Sequence, residues 1–203
     1  VCSIMHPVLY LATQNKHKVE ELSSLLQDHF TVRDLSTLNL TEEIPETGST
    51  LAENSLQKAQ YIAEKFQVTC LADDSGLEVE ILGGAPGVYS ARYAGEPKND
   101  QANLELLLQN LQGVDTRNAR FVTVLTYHHQ GTYHQFEGEI KGEIVEAARG
   151  NQGFGYDPVF QPENETRTFA EMSLTEKNQI AHRARALEKF KNFLDETQKC
   201  ADE

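Results

Sequence analysis

Asp73 and Asp74 stand side by side after the apolar run Val68 to Ala72, and Ser75 and Gly76 come directly after them. Two adjacent carboxylates repel, and a cation offsets them. Mg²⁺ binds through one or two carboxylates plus substrate phosphates. A strand finishing in this pair would set its charge at the carboxyl end, where open α/β sheets bind ligands. Taken alone, Asp-Asp-Ser-Gly reads as an Asx-turn, with aspartate oxygens bonding the local backbone. The residues downstream weigh against a simple turn. Gly83-Gly84-Ala85-Pro86-Gly87 leads directly into Val88-Tyr89-Ser90-Ala91-Arg92, a string too specific for a solvated loop.

A second group is Thr13-Gln14-Asn15-Lys16-His17-Lys18. Asn15 is a favoured helix N-cap. Lysines in a first helical turn oppose the helix dipole, and a bound anion would reconcile them, because helix N-termini hold phosphate well. Surface lysines on a plain cap are the alternative. The Walker pattern GxxxxGK[ST] is absent. A third group is Gly150 to Pro158, GNQGFGYDP. Its glycines let backbone approach a flat ligand while Phe154 or Tyr156 stacks on it; a tight turn with core aromatics fits equally. Lys177, His182 and Arg183 open the last helical stretch, where an arginine is not chosen for the dipole and calls for a ligand or carboxylate partner.

These groups need elements to hold them. Val8 to Ala12 reads as a buried strand, and Val19, Leu22, Leu25 and Leu26 recur at helical spacing after Asn15. Phe30 to Leu35 is a weak second strand. Thr41 to Thr50 is an acidic loop, with Glu42 and Glu43 solvated. Thr50-x-x-Glu53 is a capping box before a helix with Leu51, Ser55, Ala59, Ile62 and Phe66 on one face. Val68 to Ala72 is the strand delivering the aspartates, and Leu77 to Ile81 alternates like a half-exposed strand. Asp100 caps a helix ended by Gly113. Ala119 to Tyr127 and Tyr133 to Val145 form an antiparallel hairpin, with His128, His129 and His134 at its exposed tip. Thr175 caps the last helix, and Glu196 to Glu203 is a polar, fraying tail.

The chain has 203 residues, 39% of them hydrophobic, and no internal repeat, so one compact domain, 1–203, is expected. The net charge of −13 argues against a nucleic-acid binder. A small anion remains possible where a metal and local lysines invert the field. Cys2, Cys70 and Cys200 form neither a disulfide framework nor a zinc motif, which fits a reducing cytoplasm. No apolar run reaches the ~18 residues of a membrane span, and VCSIMHP lacks a signal peptide's basic and apolar regions.

Four segments stand out in order: TQNKHK, EIPETG, ADDSGLEVEILGGAPGVYSARYAGE, and FGYDP followed by LTEKNQIAHRA. Together they resemble the inosine/xanthosine triphosphate pyrophosphatase family, from about Leu9 to Leu194. The resemblance implies an α/β fold with a long mixed central sheet flanked by helices, in two lobes with the active cleft between them, and a homodimer. It implies hydrolysis of a purine nucleoside triphosphate such as ITP, dITP or XTP to the monophosphate and pyrophosphate, with Mg²⁺. Thr13, Gln14, Asn15, Lys16, His17 and Lys18 match the phosphate-binding turn, with Asn15 and Lys18 the strongest candidates for contact. Glu46 and Asp74 match the Mg²⁺ carboxylates, and Asp74 also the proton acceptor, with Asp73 the alternative base. Ser75 matches a substrate contact. Phe154, Gly155, Tyr156 and Asp157 match the base pocket; Lys177, His182 and Arg183 match the residues that close over the base and read its edge. Gln14 departs from a common glycine, Ser55 from alanine and Ala181 from serine. A Maf-like pyrophosphatase for modified pyrimidine nucleotides and a non-catalytic nucleotide-binding protein are the rival readings. GxSxG and GxGxxG are both missing.

Overall fold

The computed structural model describes residues 5–201. Cys2, with the rest of the first four residues, and the last two residues of the tail lie outside the described residues. Among the described residues six strands form one mixed sheet in the order β2-β1-β3-β4-β5-β6. They are β1 (Val8–Leu11), β2 (Thr31–Arg33), β3 (Cys70–Val79), β4 (Asn118–His129), β5 (Thr132–Ile144) and β6 (Phe160–Pro162). β1 runs parallel to β2, with Val8 opposite Thr31, and parallel to β3, with Leu11 opposite Leu71. β6 returns antiparallel to β5, with Gly142 opposite Pro162. Among the described residues five α-helices accompany the sheet: α1 (Lys16–Leu26), α2 (Leu51–Phe66), α3 (Asp100–Asn110), α4 (Leu174–Ile180) and α5 (His182–Ala201).

The chain divides into two compact units. One holds the described residues up to Asp74, then Val124–Glu137 and the residues from Ala186 on. Its interior has two clusters. Leu9, Leu11, Leu22, Leu26, Leu71 and Phe190 make one; Ala59, Ile62, Cys70 and Ala72 make the other. The second unit holds Ser75–Thr123 and Gly138–Arg185. Its core gathers Leu77, Leu104, Leu107, Phe121, Phe160 and Phe169. Each fully buried leucine of this kind contributes roughly 1.5–3 kcal/mol.

Several elements differ from the sequence-based expectation. Asp73 and Asp74 do not end a strand. β3 runs on through Ser75 and Gly76 to Val79, so the carboxylate pair sits mid-strand. The buried Lys58 and the half-buried Lys18 ammonium groups neutralise the pair, and no Asx-turn is needed to satisfy it. Glu80–Leu82 is a 3₁₀ turn that leaves Ile81 exposed, so the half-exposed strand stops at Val79. Asn99, not Asp100, caps α3, its side chain accepting from Ala102 N–H. The last helical stretch is two helices, because Ala181 is extended (φ −69°, ψ 159°). Ser173, not Thr175, caps the first of them, in a capping box with Glu176. Glu53 closes the Thr50 box differently, its carboxylate accepting from Ser49 N–H at 2.7 Å. Glu42 is not merely solvated but pairs with Lys65 and Tyr61. Through residue 201 the expected fraying tail is helical. His128 is half-buried, with Nδ1 3.0 Å from the Val68 carbonyl, while His129 is exposed.

Among the described residues no helix is long and apolar enough to cross a membrane. Cys70 is buried and Cys200 exposed, both as free thiols. Burial pushes the Cys70 thiol up to about 12, which suppresses the reactive thiolate. In Cys2→Ser protein, dithionitrobenzoate should therefore titrate one fast thiol in the native state and a second only on unfolding. Two fast thiols would contradict the packing of β3 against α2.

Candidate active site

β1 ends at Leu11 and delivers Ala12 and Thr13 into buried positions. Thr13 Oγ1 accepts from Asn15 N–H, and Asn15 Oδ1 accepts in turn from His17 N–H and Lys18 N–H. The turn is a built N-cap, as its sequence predicts. The Asn15 oxygen is committed to the cap, so its amide nitrogen is the group left to donate. Lys16 and His17 are exposed, and Lys18 is half-buried. Gln14 points elsewhere: its side chain donates to the Glu42 carbonyl and accepts from Ile44 N–H, both at 3.2 Å. It anchors the acidic loop that leads to Glu46.

α2 holds that loop from the other end. Thr47 N–H donates to Gln57 Oε1 and Gly48 N–H to Asn54 Oδ1. The approach is close enough that a Cβ at Gly48 would lie 2.7 Å from Glu53 Cβ and 2.8 Å from Asn54 Oδ1. Glycine is required there by space. From the buried face of α2, the Lys58 ammonium reaches Asp74 Oδ1 at 2.8 Å, Glu46 Oε1 at 3.1 Å and the Asp73 carbonyl at 2.7 Å. Lys18 pairs with Asp73 Oδ1 at 2.8 Å. Asp73 is wholly buried and Asp74 6% exposed. Asp74 Oδ2 is buried without a hydrogen-bond partner. Burial is the largest influence on Asp74 and raises its pKa above the usual aspartate range, against the opposing pull of Lys58 and Lys18. Burial also works to lower the Lys58 pKa, but Asp74, Glu46 and Asp73 together raise it, so the ammonium stays charged.

The second unit carries its own cluster. Asp157 is buried and accepts from Phe154 N–H at 3.1 Å and from the Lys177 ammonium at 2.8 Å. Gly153 has φ +70°, and a Cβ on it would lie 2.1 Å from Asp157 Oδ2. The Phe154 ring is half-buried, with the Lys177 ammonium 4.9 Å and the Arg183 guanidinium 5.9 Å from its centroid. Arg183 is 1% exposed and donates to Ser75 Oγ at 3.0 Å, while Ser75 Oγ bonds Thr123 Oγ1 at 2.7 Å. The His182 ring stacks on Phe121 at 4.7 Å. Tyr156 lies in the core and donates to the Ser90 carbonyl at 2.6 Å. Gly155 N–H donates to Asp100 Oδ2 at 3.3 Å.

A model described as the Ham1 family matches residues 9–193. The chain belongs to the Ham1 family. It is 48% identical over 186 residues to a dITP/XTP pyrophosphatase of Christiangramia forsetii, covering 92% of this chain and 98% of that one. A dITP/XTP pyrophosphatase of Bacillus subtilis is 45% identical, covering 91% and 96%. Among solved structures, the Staphylococcus aureus Ham1 protein superposes with a TM-score of 0.84 at 39% identity, covering 94% and 99%. A structure titled nucleoside-triphosphatase / dITP/XTP pyrophosphatase, from Mycobacterium abscessus, gives 0.73 at 38%, covering 90% and 98%.

On this Ham1 chain, the structure gathers Lys18, Glu46 and Asp74 in one unit, and Ser75, Phe154, Asp157, Lys177 and Arg183 in the other. No motif in the sequence marks Lys58. Its signal was a lysine on the apolar stripe of α2, among Leu51, Ser55, Ala59 and Ile62, where a charge has to have a buried partner. Thr123 carried no signal in its β-branched run. Among the described residues no three His, Cys, Asp or Glu side chains are grouped to hold a metal.

Proposed function

We propose that this chain hydrolyses non-canonical purine nucleoside triphosphates, dITP/ITP and XTP/dXTP, to the monophosphate and pyrophosphate. The observation that carries the reading is the cluster of Asp74, Glu46, Lys58 and Lys18, built into a chain that is 45–48% identical to dITP/XTP pyrophosphatases. A divalent cation fits the residues present. Asp74 Oδ2 is a buried oxygen with no hydrogen-bond partner, and Glu46 supplies a second carboxylate. Two carboxylates with water and phosphate oxygens suit Mg²⁺. Glu46 and Asp74 would hold it, and it would supply positive charge to the phosphate oxygens as the bond breaks.

The chain's own groups do the rest. Asp74 takes a proton from the attacking water, and burial makes it a stronger base than a free aspartate. The water oxygen bonds the α-phosphorus, the bond to the bridging oxygen breaks, and pyrophosphate leaves. Asp73 is committed to Lys18, which favours Asp74 as the base. Lys18 and Lys58 donate to the polyphosphate, and Phe154 stacks on the base. Arg183 and Lys177 meet the C6 oxo group of hypoxanthine or xanthine. Adenine presents an amine there and would leave those donors unpaired, at a cost of about 1–3 kcal/mol. Guanine keeps the oxo group, so its exclusion rests on its 2-amino group. Phe154→Ala is expected to raise KM for dITP about tenfold, since base–aromatic stacking is worth about 1–3 kcal/mol. An unchanged KM would remove Phe154 from the base contact.

We place this work in the cytoplasm, on the free nucleotide pool, and expect a homodimer by light scattering. The deciding assay is pyrophosphate release from dITP, XTP, GTP and ATP, with Mg²⁺ and with EDTA. Mg²⁺-dependent release strongest for dITP or XTP is expected. Equal rates on all four would remove the base selectivity, and no release from any would overturn the function.

A further inference from the structure

We propose that Lys58 is a built-in counter-ion that closes the Glu46–Asp74 pair to divalent cations until a polyphosphate draws its ammonium away. The proposal rests on the pyrophosphatase reading for the identity of the polyphosphate. Its physical basis is a count. An ammonium has three N–H donors. Lys58 is 4% exposed, and three acceptors stand around its nitrogen: Asp73 carbonyl at 2.7 Å, Asp74 Oδ1 at 2.8 Å and Glu46 Oε1 at 3.1 Å. The donors are saturated. Two of those acceptors belong to the carboxylates that would ligate the ion.

An acidic pair such as this one, Asp74 buried and Glu46 half-buried, ordinarily loads a divalent ion from solution. Here the pair already holds a positive charge, supplied from the buried face of α2. An ion entering on Asp74 Oδ2 would lie close to that ammonium in a poorly solvated place, where like charges repel far more than in water. Lys18 does the same for the neighbouring carboxylate, at 2.8 Å from Asp73 Oδ1. Phosphate oxygens relieve the conflict. They accept charge-assisted hydrogen bonds from an ammonium, and they bring negative charge of their own. Lys58 can then exchange a carboxylate for a phosphate, and Asp74 gains room for the ion. The protein therefore takes up the ion together with the polyphosphate rather than before it.

The test measures Mn²⁺ retained with the protein on ultrafiltration, using Mn²⁺ alone and with inorganic tripolyphosphate, and needs no turnover. Wild-type protein should retain Mn²⁺ weakly alone and about tenfold or more tightly with tripolyphosphate. Lys58→Met should bind Mn²⁺ alone about tenfold or more tightly than wild type, because the competing charge is gone. Lys58→Arg keeps the charge and should stay weak. Equal Mn²⁺ affinity of Lys58→Met and wild type would overturn the proposal. So would wild-type retention that tripolyphosphate leaves unchanged. If circular dichroism shows Lys58→Met unfolded, the wild-type pair of measurements decides alone. Failure of pyrophosphate release from every purine triphosphate would sink the function and leave these binding results standing. Release with no tightening in Lys58→Met would sink only the counter-ion role.

Discussion

Asp74→Asn is expected to lower kcat for dITP by about 10³-fold or more, with the fold intact. The amide has the same shape but neither takes a proton nor carries charge. General-base catalysis alone is worth about 10²–10⁴-fold, and the lost carboxylate would also weaken the seat proposed for the divalent ion. Lys58 keeps Glu46 and the Asp73 carbonyl, so the side chain does not become an unpaired buried charge. Asp73→Asn should behave differently. It loosens Lys18, which Asp73 Oδ1 holds at 2.8 Å, and so acts on KM more than on kcat. Similar losses in kcat for the two variants would mean that the base is not localised on Asp74. The pH profile gives an independent check. Burial, the largest influence, raises Asp74 above the ordinary aspartate range. Activity needs the ionised form, so kcat/KM should be full above that raised value and fall as pH drops through it. An acid limb at the value of an unburied aspartate would contradict the assignment.

The parts of this chain that were legible share one property: their physics is local. Asn15 caps α1 through bonds to residues two and three positions on, and those partners are visible in the sequence. The apolar stripe of α2 is likewise a matter of spacing. Much of what escaped depended on partners distant in sequence. Asp-Asp-Ser-Gly has the composition of a turn, and its continuation as strand depends on ammonium groups 55 and 16 positions away, Lys18 for Asp73 and Lys58 for Asp74. Gln14 reads as part of a phosphate turn, yet its side chain clasps backbone 28 and 30 residues on. The division of the last helical stretch at Ala181 has no proline or glycine to announce it. The cap at Ser173 is readable, since Ser-x-x-Glu is a capping box; Thr175, also a good cap type, lies two residues further on. Tyr156 illustrates the ambiguity of a glycine-rich aromatic segment, because one ring of the pair is core and the other is half-buried.

Lys177→Met should be the most destabilising single change in the second unit's cluster. Lys177 and Asp157 side chains are each 3% exposed and meet at 2.8 Å. Removing one member of a buried ion pair leaves the other's charge desolvated, at a cost of about 3–5 kcal/mol. For a chain of this length each kcal/mol moves Tm by about 2–4 °C, so Tm should fall by about 6–20 °C. The same change withdraws a cation from the Phe154 ring, 4.9 Å away. It also leaves Asp157, which holds the Phe154 backbone N–H, without this ammonium. Base affinity and stability should therefore fall together. Lys177→Met/Asp157→Asn separates the two effects. With both charges gone the desolvation penalty disappears, and most of the Tm should return, because a neutral amide can still accept from Phe154 N–H. The affinity for dITP should not return, since the Lys177 ammonium, one of the two donors proposed for the C6 oxo group, is still missing. Recovery of both would make the pair a scaffold with no part in reading the base. A Tm shift below about 2 °C in Lys177→Met would mean that the pair is not buried in solution.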